Sequence, residues 1–157
     1  MREPAIRVML LPKDTNANGT IFGGIILSHI DLAAAVEAHK SVPGRIVTVA
    51  MREVVFHQPV FVGDLVSFYT STKKLGNTSV TIHVSVEAER SNPRGERVQV
   101  TEAEVVYVHV DDQGRPQPIP ERPERIDMLL DGVRRVGCRM VTPPQIPGDR
   151  LTTVHEE

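Results

Sequence analysis

Asp31 stands inside an otherwise apolar run, Gly23-Gly24-Ile25-Ile26-Leu27-Ser28-His29-Ile30-Asp31-Leu32-Ala33-Ala34-Ala35-Val36. Burying a carboxylate is costly unless it is paired or hydrogen-bonded. One reading is an aspartate held by backbone amides or an arginine. The other is a carboxylate kept for chemistry, because functional sites are where such environments are built. Gly23-Gly24 opens the same run. Two glycines let a ligand approach the backbone, and the first helical turn presents free N–H groups suited to an oxyanion or a phosphate. Taken alone, the pair serves equally for a tight turn or for close packing of another chain.

Other chemistries find less support. His29 lies two residues from Asp31, about 200° round a helix, so the two do not form a dyad. Ser28 shares the face of Asp31 but adds no histidine, so there is no triad. His29, His39, His57, His83, His109 and His155 show no i, i+4 pair on one helix, and no metal is expected. Cys138 is the single cysteine; it excludes an intrachain disulfide and has no histidine near it in sequence to make it a nucleophile.

Composition narrows the class. The 157 residues carry 18 basic and 20 acidic side chains, a formal charge of -2. That balance argues against general nucleic-acid binding, which shows a basic excess. Tryptophan is absent and aromatics are few, so stacking platforms do not dominate. The N-terminus lacks a signal-like apolar stretch, and no run approaches the roughly 20 apolar residues of a membrane span. The expectation is a soluble cytoplasmic protein with neither nucleic acid nor membrane as partner.

The elements that must position Asp31 follow from periodicity. Residues 23–40 read as a helix, apolar nearly all round until Glu37 and therefore buried, ended by Pro43-Gly44. Residues 1–21 look irregular apart from an apolar piece, Val8 to Leu11. Residues 45–57, 62–74, 78–90 and 97–110 read as strands. In the third, Val80, Ile82, Val84, Val86 and Ala88 fall on one face. In the fourth, Val98, Val100, Val106, Val108 and Val110 fall in one alternation set. The plan is one buried helix followed by a meander of four antiparallel strands, with the sheet's apolar face wrapped on the helix. A second unit, 121–157, carries Ile126, Leu129, Leu130, Val133 and Val136 at helical spacing, then a loosely ordered tail.

Geometry adds a constraint. Gly24 and Asp31 are about 10 Å apart along one helix axis. A single carbonyl does not easily reach both within one helix. It reaches both if two copies pack side by side, with Asp31 of one facing the Gly24 amide of the other.

The stretch Asp14-Thr15-Asn16-Ala17-Asn18-Gly19-Thr20-Ile21-Phe22-Gly23-Gly24, followed by Asp31, resembles the signature of hot-dog-fold acyl-CoA thioesterases, in the branch of YciA-type and cytosolic acyl-CoA hydrolases. Arg45-Ile46-Val47-Thr48-Val49-Ala50, Val62-Gly63-Asp64, Leu75-Gly76-Asn77-Thr78-Ser79 and Gly95-Glu96-Arg97 extend the likeness, which covers about residues 8–120. The resemblance implies an α+β hot-dog fold in domain 1–120, with a long helix wrapped by a curved antiparallel sheet. It implies homodimers, assembled further as trimers of dimers, with active sites at the dimer interface.

The implied reaction is hydrolysis of acyl-CoA to coenzyme A and a fatty acid. No separate cofactor is needed, since coenzyme A belongs to the substrate. Asp31 matches the family's carboxylate, acting as general base or as direct nucleophile. Asn16 matches the active-site asparagine, the Gly24 N–H would polarise the thioester oxygen, Gly23 permits the approach, and Thr48 assists through its hydroxyl. For coenzyme A, a strand edge at Gly76, Asn77, Thr78 and Ser79 would bond the pantetheine, and Lys74, Arg94 and Arg97 would meet the phosphates. In this strand the family more often carries serine or arginine near Asn77. The rivals are a hot-dog hydratase, which would want a histidine where Val36 stands, and a non-catalytic acyl-CoA sensor or scaffold.

Overall fold

Alternating valines build the centre of the sheet. Val80, Ile82, Val84, Val86 and Ala88 are all buried along the strand Ser79–Glu89, as their period of two requires. Each such side chain taken from water is worth about 1.5–3 kcal/mol. The computed structural model describes residues 2–92 and 95–120. The expected C-terminal helix and tail, and Arg94, lie outside the described residues.

In chain order the elements are β1 Ile6–Met9, α1 Gly23–Ala38, β2 Arg45–Phe56, β3 Leu65–Leu75, β4 Ser79–Glu89 and β5 Arg97–Val110. One strongly curled antiparallel sheet has the order β1-β3-β4-β5-β2. Helix α1 lies in its concave face, packed on β3, β4 and β5. Its inner face is Ile26, Ile30, Ala33, Ala34 and Ala38, all buried. The alanines let the helix axis approach the sheet closely.

Three expectations need correction. The sheet is not a four-stranded meander: the segment read as an apolar piece within an irregular region is a fifth strand, β1, paired to β3, and β2 pairs across to β5 rather than to β3. A four-residue strand has too short a pattern to stand out.

The alternation of β5 also breaks. A bulge leaves Val100 unpaired between Gln99↔Glu87 and Thr101↔Val86. An inserted residue flips every later side chain to the opposite face. Val100 is therefore buried, but beyond it Thr101, Ala103, Val105 and Tyr107 face the core, while Val106 and Val108 do not.

Finally, α1 is not buried all round in one chain. Leu32 is 58% and Val36 49% exposed, and the outer strand β2 exposes Val47, Val49, Val55 and Phe56. Phe22 is exposed too, and β2 is an unpaired edge of the sheet; Val47 pairs with Val108 and Val55 with Glu102, so those two valines lie on the outer face, away from α1. β2 is irregular besides: its pairing shifts between Arg52 and Val55, where Glu53 takes φ 56°.

The loop before β3 is held by charge. Arg90 lies 2.5 Å from Asp64, both nearly fully buried. The arginine also donates to the Pro59 carbonyl at 2.8 Å and lies over the Phe61 ring. Asp64 accepts from the backbone of Phe61 and of Ser91. This turn is why β3 starts at Leu65 rather than at 62.

Candidate active site

Asp31 sits on the flank of α1 between its buried face and its exposed apolar stripe, and is itself half-buried. It finds two partners in its own chain. The Thr48 hydroxyl, on β2, donates to Oδ1 at 2.9 Å. The Tyr107 hydroxyl, on β5, lies 3.0 Å from the same oxygen and 2.6 Å from the Asp31 main-chain carbonyl. Thr48 and Tyr107 are direct cross-strand partners, so the β2–β5 register delivers both to one carboxylate. Burial, the Asp31 charge and the Asp31 hydrogen bond hold the Tyr107 phenol well above the usual tyrosine range, with Thr48 pulling the other way.

His29 turns elsewhere. Its ring nitrogen meets the Ile25 carbonyl at 2.9 Å, and its ring stacks on Phe68. No set of three metal-ligating side chains converges among the described residues.

The helix start is built by the loop before it. The Phe22 N–H donates to the Asp14 carbonyl at 2.8 Å, and Asp14 in turn accepts from the Leu11 N–H. No side chain caps α1. The Ile25 N–H turns back to the Phe22 carbonyl at 2.9 Å, and the N–H groups of Gly23 and Gly24 are left for something else. A Cβ at Gly24 would lie 2.4 Å from the exposed Phe22 ring, which would have to move aside. Gly23 borders an open cavity of about 310 Å³ lined also by Ile26, Phe56, Val60 and Val100.

Asn16 folds the loop. Its Oδ1 accepts from the Asn18 and Thr20 N–H groups, and its Nδ2 donates to the Thr20 hydroxyl at 2.9 Å. An amide nitrogen carries two hydrogens, so one donor remains.

The residues expected to hold coenzyme A are scattered. Gly76 to Ser79 form the β3–β4 turn rather than an open strand edge. The carbonyls of Asn77, Thr78 and Ser79 already accept from Ile119, His109 and Gly76. Lys74 pairs in register with Thr81 and Arg97 with Glu89, at opposite ends of β4. Eight residues of strand separate those rows, about 26 Å. One chain therefore does not bring Lys74 and Arg97 to the same phosphate, and Arg97 is bound to Glu89 at 3.3 Å.

Tyr107 is the site residue that sequence reasoning missed. The available signal was a lone tyrosine among the valines of this strand, but the alternation set Val106, Val108 and Val110 inward and so Tyr107 outward.

A single helix in the groove of a curled antiparallel sheet, with a carboxylate on the helix flank, is the architecture of hot-dog-fold hydrolases. Residues 18–93 match the Thioesterase superfamily. The chain is 42% identical over 120 residues to the acyl-CoA thioester hydrolase YciA of Salmonella typhimurium, covering 75% of this chain and 90% of that protein. It is similar to a hexameric hotdog fold thioesterase of Campylobacter jejuni, with 45% identity, a TM-score of 0.72, and coverage of 79% of this chain and 95% of that one. A hexameric broad specificity acyl-coenzyme A thioesterase matches at 39% identity and a TM-score of 0.73, over 83% of this chain and 90% of that one. The chain belongs to the hot-dog-fold acyl-CoA thioesterase family.

Proposed function

We propose that this protein hydrolyses acyl-CoA thioesters at a site completed by a second copy of the chain. The observation that carries this reading is the position of Asp31, a carboxylate anchored through one oxygen on a helix whose outer side exposes an apolar stripe, Leu32 and Val36, in a chain whose strand β2 is an unpaired sheet edge. Contiguous apolar surface beside an unpaired strand edge is what protein interfaces cover. A second copy laid on that stripe brings its own helix start toward Asp31, so that Asp31 of one chain and the Gly24 N–H of the other flank one carbonyl.

The chemistry then runs in either of two balanced ways. As a base, Asp31 takes a proton from water while the water oxygen attacks the thioester carbon. The carbonyl electron pair moves onto oxygen, where the Gly24 N–H at the positive end of the helix stabilises it. When that pair returns, the C–S bond breaks and the coenzyme A thiolate takes up the proton. As a nucleophile, Asp31 attacks the same carbon and expels the thiolate, leaving a mixed anhydride that water cleaves. In both, the remaining Asn16 donor orients the water or carbonyl across the interface, and Thr48 steadies the carboxylate. The cavity beside Gly23 offers apolar walls to an acyl group. Lys74, Arg97, Arg94 and the Gly76–Ser79 turn are the candidates for coenzyme A, with the two ends of the sheet serving different parts of it or different copies. The hexameric state of the relatives makes a trimer of dimers the expected assembly.

The test is thiol release from acyl-CoAs of short to long chain, on wild type and Asp31→Ala. Release by wild type and none by the variant supports the reading. Binding of several acyl-CoAs with cleavage of none makes the protein a sensor instead.

A further inference from the structure

We propose that Tyr107 is a positioning residue that, together with Thr48, pins Oδ1 of Asp31 so that Oδ2 is the oxygen that reacts. This rests on the reading of Asp31 given above and deepens it.

Two hydroxyls converge on one carboxylate oxygen, at 2.9 Å from Thr48 and 3.0 Å from Tyr107. No described residue bonds Oδ2. The two oxygens are chemically equivalent in a free carboxylate and are made unequal here. Oδ1 spends its lone pairs on donors, while Oδ2 keeps its own for a water proton or a carbonyl carbon.

Tyr107 does more than add a second donor. A phenol has one hydrogen, and two oxygens of Asp31 stand within its reach, the main-chain oxygen at 2.6 Å and Oδ1 at 3.0 Å. It therefore ties the side chain to its own helical turn. A half-buried aspartate on a helix flank would otherwise exchange among staggered rotamers. The tyrosine itself is only 2% exposed, with its ring in the core, so its hydroxyl is held where it lies. A phenylalanine would fill the same volume. The hydroxyl is the part that core packing does not explain.

The neighbouring charged groups point away from Asp31. On α1, Glu37 bonds Thr70, Thr72 and Lys40, and His29 bonds the Ile25 carbonyl. On β2, Arg45 reaches the Asp112 carbonyl, while Arg52 and Glu53 lie beyond the first pairing shift. On β5, Glu104 is paired with Lys73, and His109 meets the Pro118 carbonyl. Thr48 and Tyr107 are thus the protein groups set to hold this carboxylate in place.

The experiment uses the full-length chain with its best acyl-CoA and compares Tyr107→Phe with wild type, with rates normalised to folded enzyme. The expected result is a KM within about twofold of wild type and a kcat about tenfold lower. A purely structural role would lower the fraction of folded enzyme and leave kcat per folded molecule in place. Because the chain has two tyrosines, a second probe is available. Global 3-fluorotyrosine in a Tyr69→Phe background alters Tyr107 alone, makes its phenol a stronger donor and should change kcat by at least about twofold at unchanged KM. A kcat unmoved in both preparations overturns the proposal, as does a raised KM with unchanged kcat. If Tyr107→Phe does not fold, the fluorotyrosine enzyme decides. Asp31→Asn runs alongside: activity equal to wild type there would instead sink the reading of Asp31 itself.

Discussion

Replacing Asp31 with asparagine keeps the shape of one side chain and removes its charge and its ability to accept a proton. The structure says how much of the molecule should notice. The amide oxygen takes the place of Oδ1 and still accepts from Thr48 and Tyr107. Those bonds fall from the charged class, about 1.5–3 kcal/mol, to the neutral class, about 0.5–1.5 kcal/mol. Thr48 is exposed and exchanges its bond for one to water, and Tyr107 retains the Asp31 main-chain oxygen. The net cost in stability is about 1 kcal/mol. The cost in rate is of another order. Loss of a general base is worth about 10²–10⁴ in kcat, which is about 2.7–5.4 kcal/mol of barrier. Thiol release from an acyl-CoA, followed at saturating substrate, reads the second quantity, and urea unfolding reads the first. A kcat within about tenfold of wild type would refute the role given to Asp31. So would a rate loss that simply tracks the unfolded fraction.

Other expected outcomes follow from the same coordinates. Arg90→Met strands Asp64 in a nearly dry site and should cost about 3–5 kcal/mol in urea unfolding, with the double variant Asp64→Asn/Arg90→Met recovering part of it. Leu32→Glu or Val36→Glu places a charge in the apolar stripe of α1; size-exclusion with light scattering should show dissociation, and activity should fall at least about a hundredfold while the folded circular-dichroism spectrum persists. A fully active monomer would exclude a shared site. Gly24→Ala drives a methyl into the Phe22 ring, whose exposed position lets it swing aside; stability should change by less than about 1 kcal/mol while kcat/KM drops. For pH, the folded Tyr107 holds its proton above the unfolded value near 10, so the unfolded chain loses that proton first. Its contribution is intact below about pH 10 and is lost as pH rises from there through the folded pKa, by about 1.4 kcal/mol per pH unit, and Tyr107→Phe should lack that increment.

What the sequence shows and what it hides can be traced to particular residues. The alternation from Val80 to Ala88 and the helix of the apolar run are local patterns, and both emerge, though α1 keeps Leu32 and Val36 exposed. Asp31 stands out because one charge in an apolar helix is an energetic anomaly. Strand order is different in kind, since nothing local in residues 45–56 says that β2 pairs with β5. The Val100 bulge is equally silent, because valines occur on both sides of the shift and hydrophobicity cannot count the extra residue. Tyr107 hides for that reason: it falls on the core face only after the bulge. The coenzyme A residues were chosen by type and position in turns, and the register then sets Lys74 and Arg97 far apart.

The sheet order also bears on how the chain folds. β3, β4 and β5 are joined by short connections and can zip in succession, whereas β2 must wait for a partner synthesised long after it. Closing that loop carries an entropy penalty the hairpins avoid, and such long-range pairings slow folding. Tyr107 reaches Asp31 across 76 residues of chain, and Thr48 meets Tyr107 in the ladder that β2 forms with β5. The carboxylate thus acquires its two hydroxyls through a long-range pairing rather than through a hairpin. During biosynthesis, the nascent chain carries Asp31 without Tyr107 until β5 has left the ribosome.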